Sequence, residues 1–393
     1  MAATSVMVVG GGIAGTAAAL GLRKAGFDVT VFEAHPDAAE DLGAFLTLAT
    51  NGMRALAQLD ATDAVTAVGF PLSSLRLLDS QGSEVVRSPL GEADDPALRF
   101  RCLRRGELNS ALQAEAVRRG IPVRHGTRLM SVTDGPDGVT AHFSDGGTAT
   151  ADLLIGADGL NSTVRRQAFG PAPQPRYAGQ RVFYGYADDA PVTDATGLIT
   201  MVRGSGSAFG YAVSPEGETY WFARIGGEPL PADGPVHRTA ADRRDELLPL
   251  LRKDSTPAAD IVAACAERIM VTNANEMPLG SAWHSGRVLL VGDAAHAASP
   301  ATGQGASMAL EDAVVLAKSL RDAPDPHSAF AVYEQYRRPR TERNITVSGG
   351  ISRGTHTPSR AASADPGARR EDDALIRQLA WDVPLSAGTG ATG

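Results

Sequence analysis

Short apolar runs that end in glycine-rich turns set the pattern of the chain. Val6–Val9 and Val29–Phe32 are apolar runs, and Thr16–Ala25 between them has the spacing and composition of a helix. A fully apolar run of this length is typical of a parallel strand that is buried on both faces. Residues 5–35 therefore predict strand, turn, helix and strand, the opening unit of a doubly wound α/β domain.

Two later segments have the same texture. Residues 105–160 begin with a predicted helix, Arg105–Arg119, and end with the apolar run Leu153–Gly156. Residues 286–320 contain the run Val288–Val291, a loop and a long predicted helix. We therefore assign all three segments to one nucleotide-binding domain.

Alternating apolar and polar positions occupy two other stretches. Residues 72–90 predict a hairpin with Gly82 in its turn. Residues 177–226 are rich in aromatic residues and contain four alternating runs: Val182–Tyr186, Leu198–Val202, Phe209–Val213 and Tyr220–Ile225. Alternation indicates half-buried strands, so these stretches predict a second, mostly antiparallel sheet.

These patterns divide the chain into three parts. We expect a discontinuous dinucleotide-binding domain of residues 1–71, 100–176 and 268–322, and a second domain of residues 72–99 and 177–267. Residues 323–393 are expected to form a C-terminal helix and a partly irregular tail, because much of this part is rich in Ser, Ala, Gly, Pro and Arg.

Composition excludes several classes of function. The 393 residues are 43% hydrophobic and 21% charged, as in ordinary globular proteins, and the net charge of −8 disfavours nucleic-acid binding. Cys102 and Cys265 have no metal-site spacing, so we expect neither a metal site nor a disulfide scaffold. No apolar run reaches the roughly 18 residues of a membrane span. The N-terminus lacks the features of a secretory signal, and we expect a cytoplasmic protein.

The first candidate site follows the first strand. Its residues Gly10, Gly11, Gly12, Ile13, Ala14 and Gly15 fit the pattern GxGxxG. Gly10 permits a tight turn, Gly12 lets the backbone approach a pyrophosphate, and Gly15 lets helix and strand pack closely. Glu33 ends the second strand, where its carboxylate can bind both ribose hydroxyls and repels a 2′-phosphate. This predicts the ADP part of FAD or NAD. A turn without a ligand is the alternative, and the same pattern recurs without strand or helix at Gly388–Gly393.

Two more motifs follow apolar strands. Asp158 and Gly159 come after Leu153–Gly156, at the strand end where doubly wound sheets bind ligands, although an ordinary Asp-Gly turn is the alternative. Asp293 follows the third strand and can bind a polyol. The Gly303–Gly305 loop then opens a helix whose N-terminal dipole would stabilise negative charge on a ligand. His296 is either a general base or a residue that holds its loop by hydrogen bonds.

The order of these motifs resembles the single-component FAD-dependent aromatic hydroxylases, the group A flavoprotein monooxygenases, over about residues 5–345. The resemblance implies an α/β fold of the para-hydroxybenzoate hydroxylase type: a Rossmann-like FAD-binding domain, a substrate domain with a mostly antiparallel sheet, and a C-terminal helical segment. It implies non-covalent FAD, with NAD(P)H and O2 as co-substrates. The flavin C4a-hydroperoxide would hydroxylate an aromatic or polyketide-like small molecule, in secondary metabolism or aromatic catabolism.

The resemblance also implies roles for individual residues. Glu33 would bind the adenosine ribose, Arg105 the FAD phosphate or ribityl region, and Leu129 the adenine. Asp158 would serve both FAD and NAD(P)H, and Asp293 would bind the ribityl chain. Further cofactor contacts are expected at Gly43, Ala44, Gly303, Gln304, Gly305 and Ala306, while Thr50-Asn51 replaces the usual Pro-Asn of the family.

Because the flavin would carry the oxygen transfer, we assign no catalytic side chain and expect a pocket that excludes water. Its candidates are Tyr184, Tyr186, Arg203, Phe209, Tyr211, Phe222, Arg224 and Pro300, most of which pair on common faces of the predicted strands. Arg203 and Arg224 are candidates to anchor an anionic or phenolate substrate. The alternative is that the aromatic residues are sheet core and the arginines are solvated.

Four other functions stay open. A flavin-dependent halogenase usually carries a Trp-x-Trp segment, whereas Trp221, Trp283 and Trp381 stand far apart here. A flavin reductase of isoprenoid double bonds, an NAD-binding dehydrogenase and a non-catalytic FAD-binding protein are the others. We expect a monomer or a homodimer.

Overall fold

The computed structural model describes residues 4–38, 43–91, 95–231, 238–265, 268–355 and 366–385. Its strands are Ser5–Val9 (β1), Asp28–Phe32 (β2), Phe45–Leu48 (β3), Phe70–Leu72 (β4), Ser74–Leu78 (β5), Glu84–Pro89 (β6), Phe100–Arg104 (β7), Val123–Arg124 (β8), Leu129–Gly135 (β9), Gly138–Phe143 (β10), Thr148–Ala151 (β11), Leu153–Gly156 (β12), Arg176–Ala187 (β13), Leu198–Arg203 (β14), Ala208–Val213 (β15), Thr219–Gly226 (β16), Ile269–Glu276 (β17), His284–Ser285 (β18) and Val288–Leu290 (β19).

The helices are Ile13–Lys24 (α1), Thr50–Gln58 (α2), Thr62–Thr66 (α3), Arg105–Arg118 (α4), Thr163–Ala168 (α5), Ala240–Leu251 (α6), Ala258–Ala264 (α7), Asp293–His296 (α8), Gly305–Asp322 (α9), Pro326–Ser352 (α10) and Pro366–Leu379 (α11). Within the described ranges, none of these helices combines the length and the apolar character that a membrane crossing requires.

The three nucleotide-binding segments meet in one six-stranded sheet of order β18-β19-β12-β1-β2-β8. Strands β19, β12, β1, β2 and β8 are parallel, and β18 pairs antiparallel at one edge. The central strand β1 is apolar and buried because helices cover the parallel sheet. Its carboxyl end lies between β2 and β12, so the three motifs that follow these parallel strands share one edge of the sheet. The predicted α/β fold is confirmed.

The second sheet has seven strands in the order β17-β13-β16-β15-β14-β5-β6 and is antiparallel except for the β14–β5 pair. It includes the predicted hairpin as β5 and β6. One face packs against α6 and α7 in a core that contains Phe183, Trp221 and Leu247. The predicted limits placed residues 269–276 in the first domain, but this segment is β17 and pairs with β13. It belongs to the second sheet because seven of its eight residues pair with β13.

A small sheet of order β3-β7-β4 lies between the two large sheets. Phe45 on β3 and Phe70 on β4 pack in one cluster with Tyr220 of the second sheet. A further sheet, β11-β10-β9, pairs antiparallel. The small β3-β7-β4 sheet therefore packs against the second sheet.

The C-terminal part contains two helices, α10 and α11. Buried Lys318 of α9 donates hydrogen bonds to the carbonyls of Gln378 and Ala380, each 2.6 Å away. The Trp381 ring lies between Lys24 and Arg321, at 4.7 and 5.0 Å from its centre. These contacts hold α11 against the first domain. The second GxGxxG pattern, at 388–393, lies outside the described residues.

Candidate active site

The glycine-rich turn has the geometry that a bound pyrophosphate needs. Gly10 has φ +107°, and a Cβ there would lie 2.4 Å from the Ala157 carbonyl oxygen. A Cβ on Gly15 would lie 1.9 Å from the Gly10 carbonyl oxygen. At Gly12, the first residue before α1, no atom lies within 4 Å of that position among the described residues. Two of these glycines are thus required by packing, and Gly12 leaves space in front of the helix N-terminus.

That space is part of a groove of about 290 Å³. Gly12, Ile13, Glu33, His35, Asp37, Gly43, Arg105, Gly106 and Asn109 line it. The Glu33 carboxylate accepts hydrogen bonds from the backbone N–H groups of Gly11 (2.5 Å) and His35 (2.7 Å). These bonds hold the acid at the end of β2, beside the turn, where a ribose would lie.

The opposite side of the groove combines the start of α4 with the segment before β3. The backbone N–H of Arg105 donates to the Ala44 carbonyl at 3.0 Å. Gly43 has φ +101°, and a Cβ there would lie 3.3 Å from the Arg105 side chain. The structure therefore brings Gly43, Ala44 and Arg105 together, although 60 residues separate them in the chain. Leu129 is instead buried in the core of the first domain, at the start of β9.

The second motif caps the N-terminus of a helix. The Asp158 carboxylate accepts hydrogen bonds from the N–H groups of Thr163 and Val164, at 2.6 and 3.0 Å, and from the Ser162 hydroxyl. Oδ2 thus caps the start of α5, and Oδ1 holds the hydroxyl of the N-cap residue Ser162. Buried Arg165 then donates to the Leu160 and Ala294 carbonyls, which ties this loop to the third motif. The sequence offered an ordinary Asp-Gly turn as the structural alternative for Asp158 but did not predict this helix cap, and a cofactor role for Asp158 stays a prediction.

The third motif reaches the same edge of the sheet. Gly292 has φ +58°, and a Cβ there would lie 2.7 Å from the Cβ of Ala14 on α1. The next residue, Asp293, is exposed, and its carboxylate has no partner within the described part of the chain. Its oxygens are available to the hydroxyls of a polyol near the glycine-rich turn.

The loop before α9 is also open. Gly303 adopts a left-handed conformation with φ +67° and Gln304 precedes the first helical residue, Gly305. No described atom lies within 4 Å of a Cβ built on Gly305, so a ligand can approach the helix N-terminus. Asn51, near the start of α2, donates to the Gln304 side chain at 3.0 Å and fixes the position of this loop.

Behind these two loops lies a buried ionic cluster that the sequence interpretation missed. His296 Nε2 lies 2.6 Å from Asp312, which also accepts the N–H of Gly292. Arg337 of α10 contacts Asp312 at 2.7 Å and Glu311 at 2.5 Å. Burial alone would raise the pKa of Asp312, but the charges of His296 and Arg337 lower it to about 2. His296 therefore holds its loop by a hydrogen bond, which is the second of the two roles that the sequence left open. The sequence did contain a signal for this cluster: Glu311 and Asp312 stand inside an otherwise apolar helical run, and buried charges need partners of opposite charge.

The open face of the second sheet lies next to Phe45, two residues beyond Gly43 of the groove. Tyr184, Tyr186, Phe222 and Arg224 share this face with Tyr220. The Phe45 ring lies 6.4 Å from Tyr184, 5.7 Å from Tyr220 and 6.2 Å from Phe222, between ring centres. Three of the predicted pocket residues, Tyr184, Tyr186 and Phe222, therefore form one aromatic surface beside the groove, and Arg224 shares its face.

Phe209 and Tyr211 were wrongly assigned to this pocket. Both are fully buried on the other face of the sheet, where Phe209 stacks on Trp221 at 5.8 Å and Tyr211 accepts a hydrogen bond from Arg76. Alternation predicts which residues share a face but not which face is open. Arg203 is exposed at the end of β14, and Pro300 is exposed at the start of a short 3-10 helix, Pro300–Thr302.

Comparisons with known proteins agree with this geometry. A family model described as an FAD binding domain matches residues 3–348. Aurachin C monooxygenase/isomerase of Stigmatella aurantiaca is 33% identical over 337 residues, which cover 85% of each chain. 3-Amino-4-hydroxybenzoate 2-monooxygenase of Streptomyces cremeus is 31% identical over 397 residues, covering 98% of this chain and 95% of that one.

Among solved structures, HpxO of Klebsiella pneumoniae complexed with FAD and uric acid superposes with a TM-score of 0.79. It is 27% identical and covers 96% of both chains. These matches confirm the resemblance and favour a monooxygenase over the alternative functions. The chain belongs to the FAD-dependent monooxygenases.

Proposed function

We propose that this monooxygenase uses NAD(P)H and O2 to hydroxylate an aromatic small molecule on the open face of the seven-stranded sheet. The observation that carries the proposal is the position of Phe45. It stands two residues beyond Gly43 of the cofactor groove and packs against Tyr184, Tyr220 and Phe222. An aromatic substrate on that surface would therefore lie beside the flavin end of the groove.

The residues present fit FAD. Gly12 and the N-terminus of α1 would hold the pyrophosphate, Glu33 the adenosine ribose, and the unpartnered Asp293 the ribityl chain. Gly305 and the N-terminus of α9 would stabilise negative charge at the pyrimidine edge of the flavin. Bound there, FAD would supply the capacity to accept a hydride from NAD(P)H and to activate O2, one atom of which enters the substrate.

The chain's own task is to position the substrate and exclude water. Tyr184, Tyr220 and Phe222 offer a largely apolar surface in the second sheet. The guanidinium of Arg104 lies 4.7 Å from the Tyr186 ring and 5.5 Å from the Tyr220 ring, and this fixes the rim of the surface. The names of two relatives, which act on aurachin C and on 3-amino-4-hydroxybenzoate, support an aromatic substrate.

A substrate screen tests the proposal. The purified protein should carry flavin absorbance, and its oxidation of NADH or NADPH should accelerate with one or more phenolic acids or polycyclic phenols. Hydrogen peroxide should fall, relative to NAD(P)H consumed, when a true substrate is present, because coupled turnover uses the oxygen atom. A protein that takes up no flavin, or whose NAD(P)H oxidation no aromatic compound accelerates, would contradict it.

A further inference from the structure

One buried arginine on the open face, Arg224, has two nitrogen atoms without a hydrogen-bond partner in the described part of the chain. Arg224 lies on β16, and only 7% of its surface is exposed. Its Nε and Nη1 atoms are buried, and neither has a hydrogen-bond partner among the described residues. Burial removes the water that would otherwise bind these N–H groups, so such a guanidinium destabilises the fold. Burial accordingly lowers its pKa.

Other arginines around the seven-stranded sheet are paired. Three partly buried arginines each contact a carboxylate: Arg76 contacts Asp194, Arg104 contacts Glu218 and Arg181 contacts Glu246. The cross-strand neighbours of Arg224 are Ala208 and Val182, whose side chains carry no acceptor. An unpaired charge at this one buried position therefore needs an explanation outside the fold itself.

The surroundings of Arg224 are aromatic and reach the cofactor groove. Its guanidinium lies 5.9 Å from the centre of the Phe222 ring. Burial raises the pKa of Tyr184 to about 12, and the charges of Arg224 and Arg105 act on it in the opposite direction. Tyr184 thus lies within electrostatic reach of both Arg224 and Arg105, and Arg105 lines the groove. Both Tyr184 and Phe222 are only partly buried, although they stand in the middle of the sheet.

We propose that Arg224 binds an anionic oxygen, a carboxylate or a phenolate, on the aromatic substrate while the ring lies against Tyr184 and Phe222. The proposal rests on the proposed function, since it gives the chemistry of the ligand on the same face. A neutral analogue would leave the guanidinium unpaired in the complex, so Arg224 selects for charge. Arg203 stands in the same cross-strand row beyond Ala208 but is exposed, and water satisfies it without a ligand.

The first test needs no substrate. Arg224→Met keeps an unbranched side chain of similar length and removes the buried charge, so the midpoint of thermal unfolding of the FAD-loaded protein should rise. Arg203→Met is the matched control and should leave the midpoint unchanged, because that side chain is exposed. A lower midpoint in Arg224→Met would mean that Arg224 supports the fold, and the proposal would be wrong.

The second test measures binding by calorimetry on the same FAD-loaded proteins without NAD(P)H. Benzoate is compared with benzamide, and 4-nitrophenol, held above its pKa, with 4-nitroanisole. The wild type should prefer the charged member of at least one pair by on the order of tenfold, as expected for hydrogen bonds to a charged group. Preference in the first pair identifies a carboxylate, and preference in the second alone identifies a phenolate.

Arg224→Met should abolish that preference, and Arg203→Met should keep it. Equal binding within both pairs, or a preference that survives in Arg224→Met, overturns the proposal. The two proposals can fail separately. A flavin-loaded protein that shows the charge preference and yet oxidises no NAD(P)H with any aromatic compound would contradict the proposed function alone.

Discussion

The two faces of the seven-stranded sheet use the same strands and similar residues for different purposes. Phe183, Phe209 and Trp221 point to the covered face and are completely buried under α6 and α7. Tyr184 and Phe222, their direct neighbours in sequence, are only partly buried. An aromatic surface left open in the middle of a sheet is unusual for a surface that serves stability alone. The difference supports the proposed position of the substrate on the open face.

Polar groups show the same difference. On the covered side, Arg76 bonds to Asp194 and Thr200, whereas Arg224 on the open side has no bond from its buried Nε and Nη1 within the described residues. A similar contrast exists in the first domain, where Asp312 is completely enclosed by partners and Asp293 is exposed without one in the described chain. Polar groups whose bonds are made within the protein, such as Asp312, hold the structure together. Groups without such bonds, such as Asp293, are available to ligands.

The largest expected effect comes from exchanging one aromatic residue on each face. Trp221→Ala should lower the free energy of unfolding by about 3–5 kcal/mol, because it leaves a cavity in a closed core. Phe222→Ala should lower it by less than half as much and should instead weaken substrate binding. Denaturant unfolding followed by circular dichroism measures both variants. Similar losses for the two would remove the distinction between the faces.

Acid unfolding tests the buried carboxylate of Asp312. The pKa of Asp312 is lowered to about 2 from an ordinary 3.8, so its ionised form stabilises the native state above about pH 4. This contribution, about 2 kcal/mol, should be lost as the pH falls towards 2. Unfolding free energies between pH 5 and 2 should show the loss in Asp293→Asn as in the wild type, and not in Asp312→Asn. An unchanged pH profile in Asp312→Asn would refute the assignment.

The smallest effect is expected at the exposed carboxylate of Asp293. Asp293→Ala should weaken FAD binding by about tenfold, which is about 1.4 kcal/mol, and should leave the unfolding of the FAD-free protein within about 0.5 kcal/mol of the wild type. Fluorescence titration of the FAD-free protein with FAD measures the affinity. Unchanged affinity would remove Asp293 from the cofactor site, whereas loss of stability would place it among the groups that hold the structure together.

Local patterns were enough for much of the molecule. The apolar runs predicted β1, β2, β12 and β19 because a parallel strand buried on both faces needs a continuous run of this kind. The roles of Gly10 and Gly15 followed from the spacing of the GxGxxG pattern, although the atom that a Cβ on Gly10 would meet belongs to distant Ala157. The order of the three motifs along the chain likewise predicted the family.

Other features depend on contacts between distant segments. The Arg337 cluster joins α9 to α10, and no local signal in the sequence pairs Arg337 with Asp312. The assignment of β17 to the second sheet was decided by its pairing with β13. The sequence allowed a ligand residue or an ordinary Asp-Gly turn at Asp158, and only the structure showed that its carboxylate accepts the N–H groups at the start of α5.

By itself, the sequence determined that Tyr184 shares a face with Tyr186, and that Phe209 shares a face with Tyr211, because side chains alternate along a strand with a period of two. Only the tertiary structure decided which of these faces is open. The alternation is the same for both faces of a sheet, and the packing of α6 and α7 against one of them breaks that symmetry.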